Sequence, residues 1–241
     1  MCLSGLGADE LFGGYPSFHD VPKWSRLGVL GPARIRQPMM AMIAGLCEKA
    51  GIDLHPKIPG LLGLCDSPSG AYHLKRGLFM PWEIEHIMGR ERGRAALKSL
   101  AAKTRISEAM EPDPKSDFGR VILMESSLYM RNQLLRDADW ASMAHSLELR
   151  VPFVDRVLFE TLAPRLSAHH NPGKSVLTRV PDGGLMPALV NRPKTGFKVP
   201  LADWTDSLLS GLEEDYGKTA IRGHWSRRWV LEVIKRAPYS A

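Results

Sequence analysis

At 241 residues, 44% hydrophobic and 24% charged, the chain is long enough to bury a sizeable core in one domain or two small ones. No apolar run approaches the roughly 18 to 20 residues that span a bilayer, no basic segment followed by an apolar one opens the sequence, and Cys2, Cys47 and Cys65 form no C-x-x-C pair; a cytoplasmic protein with reduced thiols and no cysteine metal cluster is expected. The net charge of +6 is scattered over Arg90, Arg92, Arg94, Lys98, Lys103, Arg105, Arg222, Arg227 and Arg228 without interleaved aromatics, which reads as solvated helix faces and not as a nucleic-acid surface.

Leu3 to Tyr15 reads as a strand leaving into a loop and then a helix: an apolar stub meets Ser4, Gly5 and Gly7, followed by Ala8, Asp9, Glu10, Leu11 and Phe12. The small residues leave backbone N–H groups uncovered, so an anionic nucleotide edge can come close. Asp9 and Glu10 repel bare phosphate and suit a site where a divalent cation lies between acid and phosphate. The plainer alternative is that Asp9 caps a turn and Gly13-Gly14 ends the helix.

Helices are predicted from Ala33 to Lys49, Pro81 to Met88 (ended by Gly89) and Gly93 to Ala102, from Pro and Gly punctuation and three- and four-residue apolar spacing. Pro56 to Gly70, rich in Pro and Gly, is expected to be irregular, and Glu111-Pro112-Asp113-Pro114 to break the chain. The longest helix is placed from Ser116 to Arg136, with Phe118, Val121, Met124, Leu128 and Leu135 on one stripe. Beyond it, Arg136, Asp137, Asp139, His145, Glu148, Arg150 and Asp155 stand densely among apolar residues. Buried charges must be paired, so a buried ion-pair network is expected here, with Asp137, Glu148 and Arg150 as supporting members.

In Asn191 to Trp204, Pro193, Gly196, Phe197 and Pro200 constrain the loop that carries Lys194. A fixed lysine can neutralise charge on phosphate oxygens in a transition state; a surface lysine beside a Phe-anchored turn is the alternative. In the tail, His224-Trp225-Ser226-Arg227-Arg228-Trp229 is expected to turn its tryptophans inward and its arginines outward.

Three stretches carry a resemblance. Ser4-Gly5-Leu6-Gly7-Ala8-Asp9-Glu10-Leu11-Phe12-Gly13-Gly14-Tyr15, then Leu135-Arg136-Asp137 with Ser142 to Asp155 (SMAHSLELRVPFVD), then Arg192-Pro193-Lys194-Thr195-Gly196-Phe197-Lys198-Val199-Pro200, in this order, resemble the synthetase domain of glutamine-hydrolysing asparagine synthetases. The likeness runs from Leu3 to about Trp204, so residues 1–204 are read as the C-terminal portion of that domain and 205–241 as its helical tail.

The resemblance implies a mainly α-helical chain that is the C-terminal portion of an α/β adenine-nucleotide-binding domain of the PP-loop, HUP-like type. It implies ATP and Mg²⁺ as cofactors, with Ser4, Gly5 and Gly7 touching the nucleotide, Asp9 ligating Mg²⁺ and Lys194 holding phosphate as the catalytic residue. It also implies aspartate or another carboxylate as substrate, activated as an acyl-adenylate, with ammonia drawn from glutamine. The family commonly has Glu where Leu6 stands, which leaves β-lactam synthetase-like or lasso-cyclase-like ligases open as relatives. Neither the Ser-Gly-Gly-x-Asp-Ser pyrophosphate loop nor an N-terminal glutaminase domain occurs in these residues. The piece is therefore expected to be inactive alone, to leave a strand edge without parallel neighbours, and to associate with those missing parts or as a homo-oligomer. A non-catalytic helical binding module is the reading of a different class.

Overall fold

A computed structural model of the chain describes residues 1–31, 57–168, 173–180, 200–206, 214–216 and 224–236, with Met42, Leu46, His55 and Ala188. They form strand β1 (Cys2–Leu3), helices α1 (Ala8–Leu11) and α2 (Ser17–Ser25), a 3-10 turn (Arg26–Leu30), then helices α3 (Ile58–Gly63), α4 (Pro68–Arg76), α5 (Pro81–Met88), α6 (Arg90–Leu100), α7 (Ala102–Glu108) and α8 (Asp117–Met124). A π-helical stretch (Glu125–Leu134) joins α8 to α9 (Leu135–Met143). Strand β2 (Leu149–Arg150), a 3-10 turn (Pro152–Val154), α10 (Arg156–Ala168), a 3-10 helix (Lys174–Arg179), α11 (Leu201–Asp206) and α12 (Ser226–Arg236) complete the order. The mainly helical expectation holds. The chain divides into one unit of Met1–Arg26, Ser67–Lys75 and Lys103–Pro193 and a second of Leu27–Asp66, Arg76–Ala102 and Lys194–Ala241.

In the first unit, β1 lies parallel to β2, with Cys2 opposite Leu149 and Leu3 opposite Arg150. The stub expected to lack a parallel neighbour therefore has one within the chain. Ser116 caps α8, its hydroxyl accepting from Gly119 N at 3.0 Å, as its side-chain chemistry favours. Phe118, Val121, Ile122 and Met124 are buried, and α2 meets them through Phe18, whose ring lies 5.0 Å from that of Phe118. Gly119 permits the close approach of α10: a Cβ there would stand 2.7 Å from Ser167 Cβ.

The long helix expected to end at Arg136 continues to Met143, but not as one α-helix. The π-helical turns widen the backbone and move the following residues off the α-helical stripe. Met130 is buried, whereas Leu128 and Leu135 are half-buried. The break at 111–114 is pinned by Arg120, whose guanidinium reaches both Asp113 oxygens at 2.9 Å.

In the second unit, Ile87 and Leu231 form a small core with Phe79, Met88, Tyr216 and Ile234 against it. Helix α5 begins with Pro81 and ends at Gly89, φ 82°, on the boundaries that the sequence predicts. Gly93 lets α6 cross α5, since a Cβ there would lie 2.7 Å from Glu85 Cα.

Two expectations are corrected in these regions. Residues 57–70 are not irregular throughout: α3 and the start of α4 lie within them, joined by a turn at 64–67. Pro59 and Pro68 stand in first turns, where the missing N–H costs nothing, and Ser67 Oγ accepts from Gly70 N at 3.3 Å. In the tail, two residues reverse what the composition suggested, whereas Trp225 and Arg228 are both half-buried. Arg227 is buried and Trp229 is 44% exposed, because Arg227 finds the Glu83 carboxylate, the Leu78 carbonyl and the Phe79 ring. Apart from Met42 and Leu46, the helix expected from Ala33 to Lys49 lies outside the described residues.

Candidate nucleotide and carboxylate site

The site is built where β1 ends. Ser4 N donates to Arg150 O at 2.9 Å, which ties the mouth of the loop to β2, and Leu6 N donates to Ser4 Oγ at 3.3 Å. Gly5 faces open space; an added Cβ would meet nothing within 4 Å. Gly7 has φ 95°, and a Cβ on it would stand 3.0 Å from Phe153 and Val154 atoms. One glycine thus keeps the main chain open and the other lets the loop pack on the 152–154 turn. Phe12 adds to that packing, edge-on to Phe153 with ring centroids 6.2 Å apart.

The two adjacent acids part company. Glu10 is 1% exposed and accepts a 2.8 Å hydrogen bond from the Tyr15 hydroxyl. Burial raises its pKa, with Asp9 and Glu125 adding repulsion and the Tyr15 bond opposing it. Burial, and then the facing Glu10 carboxylate, pushes the Tyr15 hydroxyl above its ordinary range. Glu10 is thus a group of the core, and Tyr15 also meets Tyr129 edge-on at 5.8 Å.

Asp9 instead lies over Gly14, where any Cβ would collide with its carboxylate, and it forms an ion pair with Lys174. The sequence reading missed Lys174. Its signal is modest: Gly173, φ 70°, opens the 3-10 helix that begins with this lysine.

Among the described residues, no group of three or more His, Cys, Asp or Glu gathers that could cage a metal. One partly exposed carboxylate such as Asp9 fits Mg²⁺ held largely by phosphate and water oxygens, the usual manner for this ion.

The buried network does not exist as expected. Asp137, Glu148 and Arg150 are all exposed. Glu148 and Arg150 pair with each other at 2.8 Å, and each charge keeps its water, which removes the need for burial-driven pairing. They do lie at the loop, since Cys2 N bonds Glu148 O at 2.8 Å and Ser4 N bonds Arg150 O. Arg136, from the same stretch, stacks 4.4 Å over the ring of Trp140. Lys194, with the whole of 189–199, lies outside the described residues. The structure thus brings Ser4, Gly5, Gly7, Asp9, Glu148 and Arg150 into one neighbourhood of the first unit.

A family model described as asparagine synthase matches residues 1–237. The glutamine-hydrolyzing asparagine synthetase 1 of Bacillus subtilis (strain 168) is 28% identical over 222 residues, 85% of this chain and 31% of that protein. Proteins of Mycobacterium bovis (strain ATCC BAA-935 / AF2122/97) and Mycobacterium tuberculosis (strain CDC 1551 / Oshkosh), both named "Putative asparagine synthetase [glutamine-hydrolyzing]", are each 28% identical over 217 residues, 84% of this chain and 30% of theirs. The chain spans about a third of the length of these curated relatives. No solved structure matches it significantly. Matched from its first residue to residue 237, the chain belongs to the asparagine synthase family.

Proposed function

We propose that the chain is part of an ATP-dependent ligase that activates the side-chain carboxylate of aspartate as an acyl-adenylate, releases pyrophosphate and passes the acyl group to ammonia to give asparagine. The observation that carries this reading is the glycine loop: within a family-wide match, Gly5 stands open to solvent at the exit of β1 with the Asp9 carboxylate one short turn away.

In this reading Ser4, Gly5 and Gly7 let the nucleotide approach the main chain. Asp9, paired with Lys174 in the structure, would hold Mg²⁺, and the bound ion would neutralise phosphate charge. The ammonium groups of Lys174 and Lys194 would then serve phosphate oxygens. Glu10 and Tyr15 hold α1 in place from beneath. The pyrophosphate loop and the ammonia source are supplied by sequence other than these residues, in a cytoplasmic enzyme.

Leu6 favours a second reading within the same chemistry. An apolar side chain cannot pair with an incoming amine or take its proton, so a different carboxylate substrate, in a β-lactam synthetase-like or lasso-cyclase-like ligase, suits this position. The test is release of AMP and pyrophosphate from ATP by the full-length protein. Aspartate-dependent release with asparagine formed upholds the first reading; release dependent only on another carboxylate upholds the second; a protein that leaves ATP intact with every carboxylate sinks both.

A further inference from the structure

Where α8 packs on α10, the first unit carries a concavity of about 370 Å³, within the size range of sites that enclose small molecules. Its wall is apolar, made by Pro112, Pro114, Ile122, Leu123, Ala163 and Pro164. The prolines have a fixed φ, and Asp113, between the first two, is clamped by both of its bonds to the Arg120 guanidinium at 2.9 Å. Gly119 brings the two helices together, since a Cβ there would stand 2.7 Å from Ser167 Cβ and 2.9 Å from Pro114 Cβ. The hollow is thus built into the packing, and a ligand that enters it orders little of the chain on arrival.

Most polar groups of the lining are engaged. Ser167 Oγ donates to Pro164 O at 2.9 Å, Gly119 N donates to Ser116 Oγ at 3.0 Å, and Asp113 holds Arg120. Glu111 differs: it lines the same hollow, is exposed, and its carboxylate has no partner among the described residues. The surrounding charge has the same sign. Between Glu108 and Arg120, the four acids Glu108, Glu111, Asp113 and Asp117 meet the two bases Lys115 and Arg120, and both bases are already paired with Asp113 or Asp117. In a chain of net charge +6, this rim is negative and favours a cation.

We propose that this concavity binds a small organic amine, its apolar body seated against Ile122, Leu123 and the prolines and its ammonium on the Glu111 carboxylate. Each half of such a ligand is held weakly alone. A bare ammonium keeps its water, because an exposed ion pair contributes little, and an uncharged apolar body gains only from burial. Joined, the two select an amphiphilic cation over either a simple cation or a neutral apolar molecule. None of the lining residues belongs to the glycine loop or to the Asp9 and Lys174 pair, so binding here does not require the ligase reading to hold.

The test is a titration of the methyl-labelled full-length protein with phenethylamine, followed through the Ile122 and Leu123 methyl resonances. Two controls accompany it: 2-phenylethanol, which has the body without the charge, and ethylamine, which has the charge without the body. Phenethylamine should shift both residues' signals saturably and bind about fivefold or more tighter than either control, as a charge-assisted contact added to burial requires. Glu111→Gln, at an exposed position, should keep the wild-type melting temperature and bring phenethylamine down to the affinity of 2-phenylethanol. Ala163→Trp fills the hollow and should abolish the shifts; if that variant fails to fold, Glu111→Gln decides alone. Methyl signals that stay fixed with phenethylamine overturn the proposal, as do equal affinities for phenethylamine and 2-phenylethanol or an affinity unchanged in Glu111→Gln.

Discussion

Arg227 of α12 donates to the Glu83 carboxylate of α5 within a nearly dry enclosure, their side chains 5% and 10% exposed. The pair is fully used: Arg227 Nη1 also reaches Leu78 O at 2.6 Å, its guanidinium stacks 4.2 Å over Phe79, and Glu83 Oε2 accepts from Met80 N at 2.7 Å. Removing one partner strands the other charge, which for buried pairs costs about 3 to 5 kcal/mol. Arg227→Met and Glu83→Gln should each lower the stability of the second unit by that order in urea unfolding. The double variant should lose less than the sum of the two, and additive losses would show that the charges do not interact.

The two loop glycines should separate stability from ligand binding. Gly7→Ala meets a left-handed backbone and two side chains at 3.0 Å, so a loss exceeding about 1 kcal/mol is expected. Gly5→Ala meets nothing and should leave the melting temperature within a degree or two. If the nucleotide approaches the main chain at Gly5, the same Gly5→Ala methyl should weaken ATP binding by the full-length protein, read by calorimetry. Unchanged ATP affinity in Gly5→Ala would remove Gly5 from the site.

What was legible in the sequence follows from how local each signal is. Pro81 and Gly89 bracket α5 because both act through their own backbone angles. The same residue types mislead at 57–70, where Pro59 and Pro68 in first turns are helix starts and not breakers. The glycine loop was readable because its residue types are needed for its shape. The pairing of Lys174 with Asp9 was not, since it joins residues far apart in sequence and nothing near Lys174 signals an acid. Burial of Arg227 against exposure of Glu148 and Arg150 was equally hidden: composition records that charges lie among apolar residues but not which of them finds a dry partner.

Two acids should tilt the pH profile of the first unit in opposite directions. The Arg120 guanidinium, then the Lys115 N–H, hold the Asp113 carboxyl well below its ordinary 3.8. A depressed acid contributes stability that is present above the unfolded value and lost as pH falls below it. Asp113→Asn should therefore flatten the acid limb below about pH 4. Burial raises Glu10 above its ordinary 4.5, so its contribution is present below that value and is lost as pH rises through the higher folded value. Glu10→Gln keeps an acceptor for Tyr15 and should gain stability relative to wild type as pH rises from 5 to 8. Urea midpoints across pH 2 to 8 read both, and parallel curves for wild type and each variant would contradict the respective assignment.

Asp9 carries the last prediction, because a lysine and a metal ion have a claim on its carboxylate in different states. In the chain as described, Lys174 neutralises its carboxylate; in the proposed enzyme Asp9 would hold Mg²⁺ instead, which would leave Lys174 and Lys194 to serve phosphate. Asp9→Asn should release the Lys174 ammonium, so that its acylation by an amine-directed reagent, followed by mass spectrometry, rises several-fold over wild type. Equal labelling in both proteins would break the pairing itself, independent of any activity. In the full-length protein, Asp9→Asn should weaken the dependence of pyrophosphate exchange on Mg²⁺. Lys194→Ala should depress exchange by the equivalent of about 3 to 4 kcal/mol, the amount that one preorganised donor contributes to a charged transition state. Ammonia production from glutamine should persist in both variants, since neither residue belongs to that chemistry. Exchange at the wild-type rate in Lys194→Ala would take Lys194 out of the site and leave Lys174 as the cation that faces the phosphates.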